Sequence, residues 1–154
     1  MTLSRREAIL ARIADVIATI PGVETAGRNV DRVADSKLPA AVLFDGDEEA
    51  FENLRATGGA INIVSMSPTI VVSLGDVPEN VGTVTNEWLA KVQKAILFDS
   101  QIEQLAGGRA ATLRIPNGGA RYVAATTSLA EGRSAEVNLT VHFSIAYPFN
   151  PTTL

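Results

Sequence analysis

With 154 residues the chain has the usual size of one domain, long enough to remove roughly 68–70% of its unfolded surface from water. Apolar residues make up 46% and charged ones 19%, a globular balance, and the formal net charge of −4 argues against a phosphate-backbone partner, which needs clustered Lys and Arg. The absence of cysteine excludes a disulfide framework and a thiolate zinc site, and no signal-peptide core or ~20-residue apolar run is present, so a soluble cytosolic product without membrane contact is expected.

The first element is announced by Ser4 and Glu7, which have the spacing of a capping box. Ile9, Leu10, Ile13, Val16, Ile17 and Ile20 then recur at helical spacing until Pro21-Gly22 stops the run. Residues 23–29 read as extended, and Pro39–Phe44 reads as a short strand ending in the Asp45-Gly46 turn. Residues 45–60 hold Asp45, Asp47, Glu48, Glu49 and Glu52 followed by Thr57-Gly58-Gly59, a composition that predicts an exposed loop. Strands are expected over Ile61–Val64 and Thr69–Leu74, with Pro68 marking an edge, a bulge or a break because it cannot donate to a ladder.

A second helix is expected over Thr83–Ser100, with Val84, Trp88, Leu89, Val92, Ala95 and Ile96 on one stripe. The last third reads as strands over Ala111–Ile115, Arg121–Ser128 and Glu136–Tyr147, joined by turns at 116–119 and 131–132. In the final strand Val137, Leu139, Val141, Phe143, Ile145 and Tyr147 alternate with Asn138, Thr140, His142, Ser144 and Ala146, the clearest period in the chain and the habit of an antiparallel sheet with one buried face. Together these elements predict one α+β domain over 1–154: a mixed, mostly antiparallel sheet of about five to six strands flanked by two main helices, followed by a tail at 148–154.

Several local patterns imitate chemical sites. Asp45-Gly46-Asp47 after an apolar strand resembles the opening of haloacid-dehalogenase-type phosphatases, in which two such carboxylates serve as nucleophile and acid/base and hold Mg²⁺. A small Mg²⁺-dependent phosphatase using Asp45 and Asp47 is therefore the alternative of a different class. Against it, Glu48 and Glu49 would repel a phosphate ester, and the regular strand–helix alternation of a doubly wound sheet is missing. As a calcium loop the segment lacks the turn glycine, replaced by Ala50, and the closing glutamate, replaced by Ala56. Gly22–Gly27 has phosphate-loop spacing without its Lys or Ser/Thr, and Ser134 sits in an incomplete nucleophile elbow. The single histidine, His142, falls on the polar side of the last strand, and Trp88 and Phe98 read as core or interface packing. Arg109, Arg114, Arg121 and Arg133 read as a solvated face offset by Glu131 and Glu136. No catalytic, cofactor or metal residues are assigned.

The order of these segments carries a resemblance. A capped helix ends Ile20-Pro21-Gly22-Val23, Gly27-Arg28-Asn29 follows, and then Leu38-Pro39-Ala40-Ala41-Val42-Leu43-Phe44-Asp45-Gly46-Asp47-Glu48. Pro68–Leu74, the Trp88 helix, Arg121-Tyr122 and the closing Val141-His142-Phe143-Ser144-Ile145-Ala146-Tyr147 complete the series. Over residues 4–148 it resembles the tail terminator (tail completion, or minor tail) proteins of long-tailed bacteriophages and prophages. The resemblance implies a virion structural protein, made in the bacterial host cytoplasm and located in the tail or neck. There it would form a homo-hexameric ring on the head-proximal end of the tail tube, between the tube protein and the head–tail connector, with DNA passing through unbound. Another neck or connector component is the alternative within that class. No cofactor is implied and no catalytic residues carry over. Exposure alone makes Asp45, Asp47, Glu48, Glu49, Asn117 and Arg121 the expected interface residues.

Overall fold

Helix α1 (Arg5–Ala18) forms where the sequence places it, because Ser4 accepts a hydrogen bond from the Glu7 amide (3.2 Å) and the apolar positions bury Ile9, Leu10, Ile13, Val16 and Ile17. The computed structural model of the chain describes residues 4–30, 37–52, 62–76, 81–112, 114–129 and 136–149. Only half of the expected capping box is made. The Glu7 carboxylate turns to Arg28 instead, since a two-pronged guanidinium pair is stronger than a bond to a neutral amide.

Beyond α1 come β1 (Thr25–Arg28), β2 (Ala40–Phe44), β3 (Glu48–Glu52), β4 (Asn62–Met66) and β5 (Thr69–Asp76). Helices α2 (Val81–Leu97) and α3 (Ser100–Ala106) and strands β6 (Gly119–Leu129) and β7 (Glu136–Phe149) follow. The fold is α+β as expected, with seven strands and three helices among the described residues. The expected helix over Thr83–Ser100 is divided: the Asp99 side chain accepts from the Ile102 amide (2.9 Å), which starts α3, and Gly107 closes it in the left-handed conformation. Among the described residues of 111–115 there is no strand; Ile115 is buried instead in a small cluster with Ile63 and Ala146.

β7 is the central strand. Its residues 136–142 pair with β5 and 145–149 with β4, while β6 runs along its other side from Ala146 to Val137. β4 and β5 thus lie end to end, broken at Ser67-Pro68, and β2 and β3 lie end to end beyond them, broken at Gly46. The two breaks touch. The Ser67 amide donates to the Asp47 carbonyl (2.9 Å), and Gly46, at φ 73°, approaches the Ser67 carbonyl so closely that any Cβ there would collide with it. β1 adds to β2 in parallel; every other pairing is antiparallel.

All three helices contribute to one core against one face of this sheet. Ile9, Ile13 and Ile17 of α1, Trp88, Val92 and Ile96 of α2, and Ile102 of α3 meet Leu43, Ile70, Val72 and the odd-numbered apolar residues of β7. Trp88 is core: its ring lies 3.2 Å from where a Cβ of Gly22 would stand, with the Lys91 Nζ 4.3 Å over the ring and donating to the Pro21 carbonyl (3.0 Å). Phe98, by contrast, is 81% exposed: its amide still bonds the Lys94 carbonyl, and two residues past Ile96 it points away from the stripe of Trp88, Val92 and Ile96. No described helix is long and apolar enough to cross a membrane.

Candidate assembly surface

Arg28, on β1, joins three elements at the end of β2. Its Nη1 and Nη2 donate to the two Glu7 carboxylate oxygens of α1 (2.7 and 2.8 Å), and its Nε and Nη2 donate to the two of Asp45 (2.8 and 3.0 Å). Asn29 adds a bond from the Asp45 amide to its side-chain oxygen (3.1 Å). The hydrogen bonds from Arg28 hold the Glu7 and Asp45 carboxyls below their ordinary values, and the same two partners raise the Arg28 guanidinium further above its own. Asp45 therefore has both oxygens engaged by a cation, which lowers their nucleophilicity toward a phosphate ester. Asp47 lies exposed beyond it. The segment that looked most like chemistry is a clamp fastening α1, β1 and β2.

Glu48 and Glu49 are not on a loop. They open β3, where Glu48 pairs with Met66 and Glu49 with Ser65, so the expectation of an exposed loop across 45–60 is corrected for residues 48–52; residues 53–61 lie outside those described. Pairing to a complete neighbour overrides the poor strand preference of acidic residues. Glu48 lies 3.8 Å from the Arg6 Nε, and Arg6 donates to the Gly46 carbonyl (2.9 Å). Asn117 and Arg121 fall at the opposite side of the sheet. Asn117 takes a left-handed turn conformation, φ 59°, and its carbonyl accepts from Arg121 (3.4 Å). The six expected interface residues therefore form two groups, one at each lateral edge.

Between those edges runs the other face, which no described helix covers and on which Ile115 packs over Ile63 and Ala146. Ser65 and Ser144 hydrogen-bond across β4 and β7 (3.0 Å), Thr69 meets His142 Nδ1 (3.2 Å), and the Ser73 hydroxyl donates to Asn138 (2.8 Å). His142 stands on the polar side as its position in the alternation predicts. The middle of this face is neutral, and charge returns only at the edges. Among the described residues the ion pairs are Arg6–Glu48, Arg12–Asp99, Arg28–Glu7 and Arg28–Asp45. Asp47 and Glu49 at one lateral edge and Arg121 on β6 at the other belong to none of them, and all three are exposed.

A hollow of about 130 Å³ lies between α3 and the start of β6, lined by Asp99, Glu103 and Arg109 among others. Asp99 is already committed to Arg12, through bonds of 3.0 and 2.7 Å, and to the α3 cap. Among the described residues no three His, Cys, Asp or Glu side chains gather in a group able to hold a metal ion. Ser134, Arg133 and Glu131 lie outside the described residues.

No family model matches the chain, and no curated protein matches it. Among solved structures, a chain of the virion of a native gene transfer agent particle has a similar course, with 15% sequence identity and a TM-score of 0.46 over 95% of this chain and 96% of that one. At that level the likeness carries no argument about what this chain does.

Proposed function

We propose that this protein is a virion structural subunit that assembles with copies of itself into a ring on the head-proximal end of a phage-like tail tube, where it ends tube growth and forms the tail side of the head–tail joint. The observation that carries the reading is the layout of the sheet. One face is covered by the helices, the middle of the other carries no charged side chain among the described residues, and exposed Asp47 and Glu49 lie at one lateral edge with Arg121 at the other. Two different, mutually complementary patches on one subunit are what a heterologous contact requires, and such contacts close into rings when the rotation allows. The order of elements that resembles tail terminators supports the same reading over nearly the whole chain.

The engagement of Asp45 by Arg28 weighs against the phosphatase alternative. Purified protein mixed with tail tubes and viewed by negative-stain electron microscopy is expected to show rings capping one tube end and a fixed tube length. Tubes that keep growing uncapped, with no rings at any protein concentration, would overturn the proposal. Binding to the head connector without any effect on tube length would favour a different neck component.

A further inference from the structure

β6 is 11 residues long and hydrogen-bonds only to β7 among the described strands, so no described strand covers its outer backbone edge. Edges of this length are usually protected by charges, proline or brevity. Here Gly119–Leu129 carries one charged residue, Arg121, no proline and a single bulge between Tyr122 and Ala124. Tyr122 and Val123 stand 39% and 59% exposed beside it.

Across the sheet, β3 pairs only with β4 among the described strands and has the sequence Glu-Glu-Ala-Phe-Glu. Two copies of β3 set side by side would bring carboxylates against carboxylates, whereas an arginine-bearing strand meets no such repulsion. Direction and level agree as well. Strands β3, β4, β7 and β6 alternate in direction, so a second copy in the same orientation brings its β6 beside β3 antiparallel, continuing the alternation. Glu49 pairs with Ser65, Ser65 with Ala146 and Ala146 with Gly119, two residues from Arg121. Since Arg121 faces Ser144, and Ser144 bonds Ser65 on the uncovered face, Glu49 and Arg121 share one face and nearly one level at opposite edges.

We propose that β6 of one copy adds to β3 of the next as an antiparallel strand, with Arg121 of the first copy against Glu49 of the second, so that the sheet continues from subunit to subunit. The proposal deepens the ring reading and rests on it for the head-to-tail arrangement. Backbone hydrogen bonds along the two edges supply the adhesion, and the charge pair sets the register.

The cysteine-free chain makes the test direct. Arg121→Cys and Glu49→Cys are prepared separately and together, both at exposed positions, with far-UV circular dichroism to verify folding. Treated with a short bis-maleimide, an equal mixture of the single variants is expected to give cross-linked dimers. The double variant is expected to give a ladder of higher species, and either single variant alone only monomer. Dimers from Arg121→Cys alone would overturn the proposal in favour of a two-fold β6–β6 contact. No cross-link in the mixture or the double variant, at high concentration and on capped tubes, would overturn it outright.

Rings seen by microscopy without the ladder would sink the strand junction and leave the ring reading standing. A ladder with tubes left uncapped would do the reverse. As a second measurement, Arg121→Glu and Glu49→Arg each are expected to weaken self-association roughly tenfold in sedimentation, and mixing the two to restore it. Failure of the mixture to recover would count against the pairing.

Discussion

Alternate residues of β7 share one backbone and meet different surroundings. Phe143, Ile145 and Tyr147 point among the helices and are almost wholly buried, while Thr140, His142 and Ser144 point to the uncovered face and are half-buried among hydroxyls and an imidazole. The difference teaches where the fold is specified. Burial of large apolar side chains stabilises by several kcal/mol each, whereas a hydrogen bond between half-exposed polar groups contributes about 1 kcal/mol at most. The uncovered face is therefore free to be selected for what it meets, at little cost to the fold.

Two substitutions put direct pressure on that contrast. Phe143→Ala removes a buried ring that also meets Tyr122 edge-on at 6.3 Å, and is expected to lower unfolding stability by about 3–5 kcal/mol in urea titrations. On the opposite face, Ser144→Ala is expected to change it by less than about 0.5 kcal/mol, since only one half-exposed hydroxyl pair is lost. An equal loss at both would erase the distinction.

Gly46→Ala tests the corner between the two halves of the sheet. It demands a left-handed conformation of a residue with a Cβ and drives that Cβ into the Ser67 carbonyl, so a loss of about 2 kcal/mol or more is expected from the thermal midpoint. The clamp comes next. Arg28→Ala is expected to cost about 1 kcal/mol near neutral pH, a figure kept small because the groups are partly exposed.

The pH dependence follows from the direction of the shifts. Glu7 and Asp45 are held below their ordinary values in the folded chain, so the stability they provide is fully present above the ordinary carboxylate range of about 4 and is lost as pH falls through the depressed values. Urea midpoints of the unaltered protein should therefore fall on acidification below about pH 4, and Arg28→Ala should flatten that fall.

A last substitution sharpens the comparison at its exception. Tyr147 lies on the helix-covered face, and its buried hydroxyl has no hydrogen-bond partner among the described residues. Tyr147→Phe removes that unsatisfied group, so stability is expected to hold or to rise by up to about 1 kcal/mol in the same titrations. A clear loss would mean that the hydroxyl finds a partner after all.

How far the sequence could be read depended on whether a segment's pattern was local. Twelve alternating residues in β7 and a capped apolar stripe in α1 state their own structure, because one buried face repeats at a fixed period. β3 does not. Its acidic composition spells a loop, and only the neighbouring β4, reached through the chain's return, makes it a strand. α3 was hidden because the break is set by the Asp99 side chain accepting from the Ile102 amide, a capping role that hydrophobic periodicity does not register.

The clamp was hidden for the same reason at longer range. Glu7, Arg28 and Asp45 are scattered along the chain, and nothing in their separate neighbourhoods announces the meeting. The one available sign was a lone arginine in a short strand otherwise made of small residues. By contrast, the opposite charges at the two edges were visible as composition, though not as edges.

The position of β7 in the chain has a consequence for how the molecule is made. The strand against which β4, β5 and β6 all pair comes after every other described element in chain order. As the polypeptide emerges from the ribosome, the apolar faces of α1, β5 and α2 have no central strand to close on until residues 136–149 are available. The nascent chain must keep those surfaces from wrong partners until that strand has been made, so the sheet should close only after residues 136–149 have emerged.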